Sequence, residues 1–373
     1  MILSKQFEKG DAMLGLLALG LTSLMIYTLV KNALMGRQLS KEDSFHSGIE
    51  LIIPLAAKSE FYIEAWLNSV KTFHFGPGQL KVHLLIDGHH PSMTAWQELR
   101  EKVPYLQIHC FTMRPSHVDS IPWMLDQISS RIEAPVVIIG DPELVPTEHA
   151  FTSVARMIQD QQKSFFILPQ TARFGLLGEA ANLLGPTLSF ISLFGQGRWR
   201  SRFSHPLLGI AHGWLAMPLA HFKQVEFKLI RISNWKEAIS RQWVEKQLKY
   251  SIAFGEKHLL RYYSETFQGL IYQIKDEWED LWNRKDKTGF WLYLTTVFIW
   301  AFPMIFLFTH FFWALSSIFL LSLYRFFTKI VFQESWMAMF LHPVGCGLRV
   351  WGLLSWLTGH LRSRYGSRAP TST

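Results

Sequence analysis

Cysteine is nearly absent: Cys110 and Cys346 are the two thiols in 373 residues. That scarcity excludes a disulfide framework and any cysteine-based zinc spacing, so both are expected to be ordinary buried thiols. No internal repeat or low-complexity tract appears before the polar tail after Gly366, which excludes solenoid and array architectures. Charge is missing over long stretches as well. No charged residue lies between Asp11 and Lys31, and none lies from Thr288 to Tyr324. As a helix the run Met13 to Val30 is just long enough to cross a hydrocarbon core of about 30 Å. It is read as a transmembrane helix over 12–30. The competing reading is a cleaved signal peptide, opposed by Glu8, Asp11 and the lack of a small-x-small cleavage site.

The run from Thr288 to Tyr324 would be about 55 Å long as one helix, nearly twice a bilayer core. Residues 288–324 are therefore expected to form a transmembrane helical hairpin, bent near Pro303 or Thr309-His310. Trp336 to Leu361 is apolar but carries His342, Pro343 and Arg349 inside it. Because a charge at mid-bilayer is costly, 335–361 is expected to be interfacial or re-entrant, ahead of a basic polar tail at 362–373. Ile271, Ile274, Trp278 and Leu281 recur at helical spacing in a charged background, predicting an amphipathic helix over 269–287.

The formal charge of +8 is uneven: Lys31, Arg37 and Lys41 follow the first run, and Arg325, Lys329, Arg362, Arg364 and Arg368 border the last ones. These clusters predict an integral membrane protein, of a bacterial inner membrane, with its soluble domain in the cytoplasm. Anionic lipid, rather than nucleic acid, is the expected partner of the basic excess. Leu183 to Phe194, followed by Arg198-Trp199-Arg200-Ser201-Arg202, reads equally as a stretch for a membrane surface or as a core helix with a basic turn.

Between these segments the pattern changes to short apolar runs alternating with amphipathic stretches. Strands are predicted at Ile49 to Ile53, Lys81 to Ile86, Leu106 to Phe111 and Val136 to Ile139, with helices at Phe61 to Val70, Thr94 to Lys102 and Ile121 to Ile132. The βαβαβαβ order implies right-handed crossovers and a site at the carboxyl ends of the strands. Asp141-Pro142-Glu143 follows the last of these strands. Two carboxylates one residue apart there can converge on one hard cation, Mg²⁺ or Mn²⁺, which would neutralise a departing diphosphate.

At this point the chain resembles the family-2 inverting glycosyltransferases of the GT-A nucleotide-diphospho-sugar transferase fold. The closest likeness is to the membrane-bound branch with ceramide glucosyltransferases and hopanoid- and carotenoid-associated bacterial enzymes. Ile49 to Pro54 with Ala57-Lys58-Ser59-Glu60 is similar to the family's first strand and loop, Asp87 to its base-facing aspartate, and Val137 to Thr147 to its D-x-D strand and loop. Gly209 to Leu219 resembles the acceptor-side segment, and Phe340 to Gly345 with the basic tail resembles the end of the bacterial members. The resemblance implies an α/β domain over 47–268 with a mixed sheet and flanking helices. It implies Pro54, Glu60 and Asp87 against the nucleotide, Asp141 and Glu143 on a divalent metal, and Gly209, Gly213 and Trp214 on the acceptor side. The implied partners are a nucleotide diphosphate sugar, a lipid acceptor and the membrane.

The family's catalytic motifs are degraded here. No aspartate occurs between Pro218 and Asn234, where the family has an E-D pair, and the arginine-tryptophan pair is missing around Ser233 to Trp243. The family's pyrophosphate-contacting lysine has no equivalent before Ile121. An inverting transfer needs a base for the acceptor hydroxyl, and Glu226 is the nearest carboxylate, with Glu237 behind it. Two readings follow: a membrane-anchored hexosyltransferase, or a pseudoenzyme that keeps the fold and serves as a binding or assembly partner.

Overall fold

The computed structural model describes residues 48–55, 79–87, 105–112, 119–171, 213–230, 235–255, 259–261, 266–283, 311–332 and 336–365, with isolated positions between them. Two compact units divide the chain. A sheet unit takes Gly36–Ala172 and Arg198–Tyr262, and a helical unit takes Met1–Met35, Arg173–Gly197 and Tyr263–Thr373.

In the sheet unit the apolar runs become strands because they are covered on both faces, where β-branched side chains pack well. Strands β1 (Ile49–Leu55), β2 (Leu80–Asp87), β3 (Leu106–Phe111) and β4 (Val136–Ile139) pair in parallel, and every residue of β1 and β4 is buried. A short β5 (Leu144–Pro146) follows, then β6 (Ser164–Leu168) and β7 (Gln170–Thr171). The sheet is completed by β8 (Trp214–Pro218) and β9 (Tyr250–Phe254), while β10 (Leu259–Arg261) joins β5 and β7 in a small second sheet. The order of the large sheet is β3-β2-β1-β4-β8-β6-β9. β8 runs against both β4 and β6, and β6 is parallel to β9, so β8 alone is reversed. This is the mixed α/β architecture expected. The helices predicted at 61–70 and 94–102 lie outside the described residues, apart from Ser69.

Helix α1 (Ser120–Ser129) lays Pro122, Met124, Leu125 and Ile128 onto the core. Helix α2 (Glu148–Gln161) does the same with Phe151, Val154, Ala155 and Ile158, and it stops at Gln162, whose φ of 49° is the left-handed cap conformation. After β8 come α3 (Leu219–Phe222) and α4 (Trp235–Glu245).

The helical unit holds α5 (Phe267–Asn283), α6 (Phe311–Phe332), α7 (Trp336–Phe340) and α8 (His342–Tyr365). Helix α5 buries Leu270, Ile274, Trp278 and Leu281, close to the predicted stripe; Ile271 is only partly covered. Helices α5 and α8 cross closely because Gly352 has no side chain: a Cβ there would stand 2.4 Å from Ile274 Cγ2. Trp278 Nε1 donates to the Arg349 carbonyl at 3.3 Å across the same contact.

The localisation expected from the sequence needs correction. Among the described residues no helix is long and apolar enough to cross a membrane. Cations interrupt the two longest helices, Arg325 and Lys329 in α6 and Arg349 in α8, and the segment expected over 335–361 divides into α7 and α8. The predicted anchor at 12–30 lies outside the described residues except for Gly20 and Ser23, as do most of residues 288–310. The thiol expectation also changes. Cys346 is buried, and burial pushes its pKa up to about 12, whereas Cys110 is exposed on β3, at one edge of the sheet.

Candidate functional site

A sheet in which the strand order reverses direction leaves a crevice outside the carboxyl ends of the two strands on either side of the reversal. Here β1 leads outward to β2 and β3 on one side and to β4 on the other, so the crevice lies between β1 and β4. Gly140 extends the β4 register by donating its N–H to the Ile52 carbonyl at 2.8 Å. The packing here is tight: a Cβ on Gly140 would lie 2.3 Å from Ile53 Cδ1, so a larger residue would require that side chain to move.

Asp141 comes next. Its carbonyl accepts Leu144 N–H at 3.0 Å and its Oδ1 accepts Glu143 N–H at 3.1 Å, which closes the Asp141-Pro142-Glu143 turn. Its Oδ2 accepts Lys236 Nζ at 2.6 Å. Both residues of this pair are buried, at 9% and 8% exposure. Asp87 ends β2 on the same edge of the sheet and accepts Ser120 Oγ at 2.6 Å, with Arg114 Nε at 3.4 Å. Pro54 is buried in β1, opposite Leu85. Trp214 opens β8 at this edge with its ring against Phe151, and its Nε1 lies 3.3 Å from where a Gly140 Cβ would be. That indole N–H is buried with no hydrogen-bond partner among the described residues. Gly213 packs so tightly that a Cβ would lie 2.7 Å from the Ile167 carbonyl. Glu60 and Gly209 lie outside the described residues.

Of the pair expected on a metal, Asp141 is engaged by protein groups. Lys236 holds Asp141 Oδ2, Asp141 Oδ1 is taken by a main-chain N–H, and no group of three His, Cys, Asp or Glu side chains gathers for a metal among the described residues. Mg²⁺ and Mn²⁺ want several oxygen ligands, of which Asp141 is the one placed at this point among the described residues.

Glu226 is placed elsewhere. Because β8 is reversed, Pro218 ends beside Val136 at the amino edge of β4, and Leu219 N–H donates to the Pro135 carbonyl at 3.0 Å. Glu226 follows on that side, its side chain 53% exposed and ion-paired with Lys246, its main chain held by Gln242. Lys246 stands ten residues beyond Lys236, about 15 Å at helical rise. The structure thus does not bring Glu226 to Asp141. Glu237 is buried beside Lys236 in sequence and ion-paired with Arg241 Nη2 at 2.9 Å.

No protein-family model matches the chain, and no curated protein matches it. Among solved structures it is similar to the mannosyltransferase PcManGT from Pyrobaculum calidifontis in complex with GDP-Man and Mn²⁺. That match has TM-score 0.48 and 11% identity over 92% of this chain and 99% of that one. It is also similar to S. aureus TarS 1–349 in complex with UDP-GlcNAc, with TM-score 0.41 and 12% identity over 86% and 92% of the two chains.

Sequence reasoning missed Lys236 as the partner of Asp141. One signal was present. Cations are favoured at the carboxyl end of a helix, yet Lys236 sits in the first turn of α4, against the macrodipole. The same reasoning passed over a second polar cluster at the amino edge. Glu50 is buried in β1 and accepts Glu133 N–H at 2.9 Å and Ala134 N–H at 3.4 Å, with His83 at 3.8 Å. Burial pushes the Glu50 carboxyl up, but His83 and these N–H groups outweigh it and hold it below the ordinary carboxylate value.

Proposed function

We propose that the sheet unit binds a nucleoside diphosphate sugar at the carboxyl ends of β1 and β4 and transfers the sugar to a hydroxyl of a lipid acceptor. The observation that carries this reading is the buried Asp141–Lys236 pair at the point where strand order reverses. Open α/β sheets take their ligands there. Asp87, on the same edge, suits a base or ribose hydroxyl. The buried indole N–H of Trp214 suits a sugar or phosphate oxygen, since a buried donor without an acceptor calls for an explanation. In the transfer, the acceptor oxygen bonds to the anomeric carbon as the bond to the phosphate oxygen breaks. The diphosphate leaves with the electron pair, and the hydroxyl proton passes to a carboxylate. A lipid acceptor is supported by the apolar face of α8, where Trp351, Leu354 and Leu361 are exposed.

Purified full-length protein, titrated calorimetrically with UDP- and GDP-sugars and then incubated with labelled donor and lipid extract, tests the reading. Donor binding and label in the lipid phase are expected. Failure of every nucleoside diphosphate sugar to bind would sink it. The placement of Glu226 on the far edge favours a second reading, a pseudoenzyme that binds donor without transfer. Binding with no labelled lipid from any extract would decide for that reading.

A further inference from the structure

We propose that Lys236 is the resident cation of this site, its ammonium receiving the diphosphate of a nucleoside diphosphate with no need of a divalent ion. The inference rests on the nucleotide reading above and adds how the charge is met. A carboxylate at the end of β4 repels a diphosphate, so a positive group must stand between them. In this chain that group is already present. Lys236 Nζ lies 2.6 Å from Asp141 Oδ2, and both side chains are covered by protein.

Burying the ammonium is costly, and placing it in the first turn of α4 opposes the helix dipole. Neither cost is one that a fold in general requires, since apolar pairs of similar volume often replace buried ion pairs without loss of stability. An ammonium has three N–H donors, and the Asp141 contact uses one. Its other neighbour is the Trp235 ring, whose centroid lies 5.3 Å from Nζ and offers no lone pair. Phosphate oxygens are the acceptors that suit such a point charge, and lysine is a common phosphate binder. The adjacent N-terminal N–H groups of α4, an eleven-residue helix, add positive potential at the same end.

The competing role for Lys236 is simply to neutralise Asp141, leaving nucleotide to a metal. Calorimetry with UDP and GDP, in chelator and in Mn²⁺, separates the two on wild type, Lys236→Gln and Asp141→Asn. Wild type is expected to bind equally in both buffers. Lys236→Gln should lose about tenfold to a hundredfold in affinity in chelator, the size of one hydrogen bond to a charged group. Asp141→Asn should gain up to about tenfold in chelator, because one like charge is removed while Lys236 remains. This variant carries the test if Lys236→Gln does not fold. Mn²⁺ alone, followed by its paramagnetic resonance, should stay free in the presence of wild type.

Nucleotide bound by wild type only with Mn²⁺ would overturn the assignment to Lys236 and leave the nucleotide reading standing. Loss of binding in Asp141→Asn, or Mn²⁺ captured by wild type and released in that variant, would overturn it in the same way. No binding of UDP or GDP in either buffer would remove both.

Discussion

Both units bury ionic groups, but they treat apolar surface in opposite ways. In the sheet unit the core is aliphatic and aromatic, and its buried ionic groups have partners close by: Glu50 its N–H donors, Asp141 its lysine, Glu237 its arginine. In the helical unit Arg325, His342 and Arg349 are buried, while Phe319, Phe340, Trp351, Leu354 and Leu361 are exposed. Among the described residues Leu229 is the one exposed large hydrophobic of the sheet unit. A sheet buried on both faces satisfies its apolar residues within its own fold. The helices leave an apolar face open, of the kind that marks a surface for further contact.

The largest effect is expected at Arg349, one of the two buried arginines of the helical unit among the described residues. Arg349 bonds to Glu277 and to Tyr293 Oη, the latter at 2.6 Å. Arg349→Ala should cost about 3–5 kcal/mol in denaturant unfolding, because it leaves Glu277 without its guanidinium, whereas Arg349→Met with Glu277→Leu should recover most of that loss. No recovery in the double variant would mean that the ionic pair, rather than its volume, holds α5 to α8.

A smaller effect is expected at Glu50. Its folded pKa is depressed, so its stabilisation is fully present above the unperturbed value of 4.5 and is lost as pH falls through the folded value. Glu50→Gln should lower stability at neutral pH by about 1.5–3 kcal/mol, the range for hydrogen bonds to a charged group, and flatten the acid limb of the profile. Parallel acid limbs in the two proteins would show that other groups govern acid unfolding.

The smallest effect is expected on the open face. Replacing Trp351 and Leu354 by serine should change stability by no more than about 0.5 kcal/mol per site, as for surface positions in general. Binding of a hydrophobic dye should drop. A large loss of stability instead would show that this face is covered within the fold.

The first four strands were legible because each is a short run rich in apolar residues, and the structure follows Leu106–Phe111 and Val136–Ile139 residue for residue, while β1 runs through Pro54 to Leu55. The later sheet was not. Trp214–Pro218 lies inside a stretch read for its glycines, and nothing in five apolar residues tells a reversed strand from a loop. That reversal is why Glu226, adjacent to the acceptor segment in sequence, lands on the far edge of the sheet. The Asp141–Lys236 pair was hidden for a different reason: 95 residues separate its members, and a local pattern carries no information about such a pairing. Legible in the sequence was the carboxylate at the end of β4; illegible was what it holds.

The reversed strand also has a consequence in time. β4 gains its second neighbour only when Trp214–Pro218 has been made, and 75 residues separate Ile139 from Trp214. At about 5–20 residues per second, a growing chain carries the outer edge of Val136–Ile139 unpaired for about 4 to 15 seconds. An unpaired edge of four apolar residues is a template for another chain. During synthesis the vulnerable part of this molecule is therefore the strand that in the finished fold lies deepest, and the reversed strand ends that interval by filling the slot between β4 and β6.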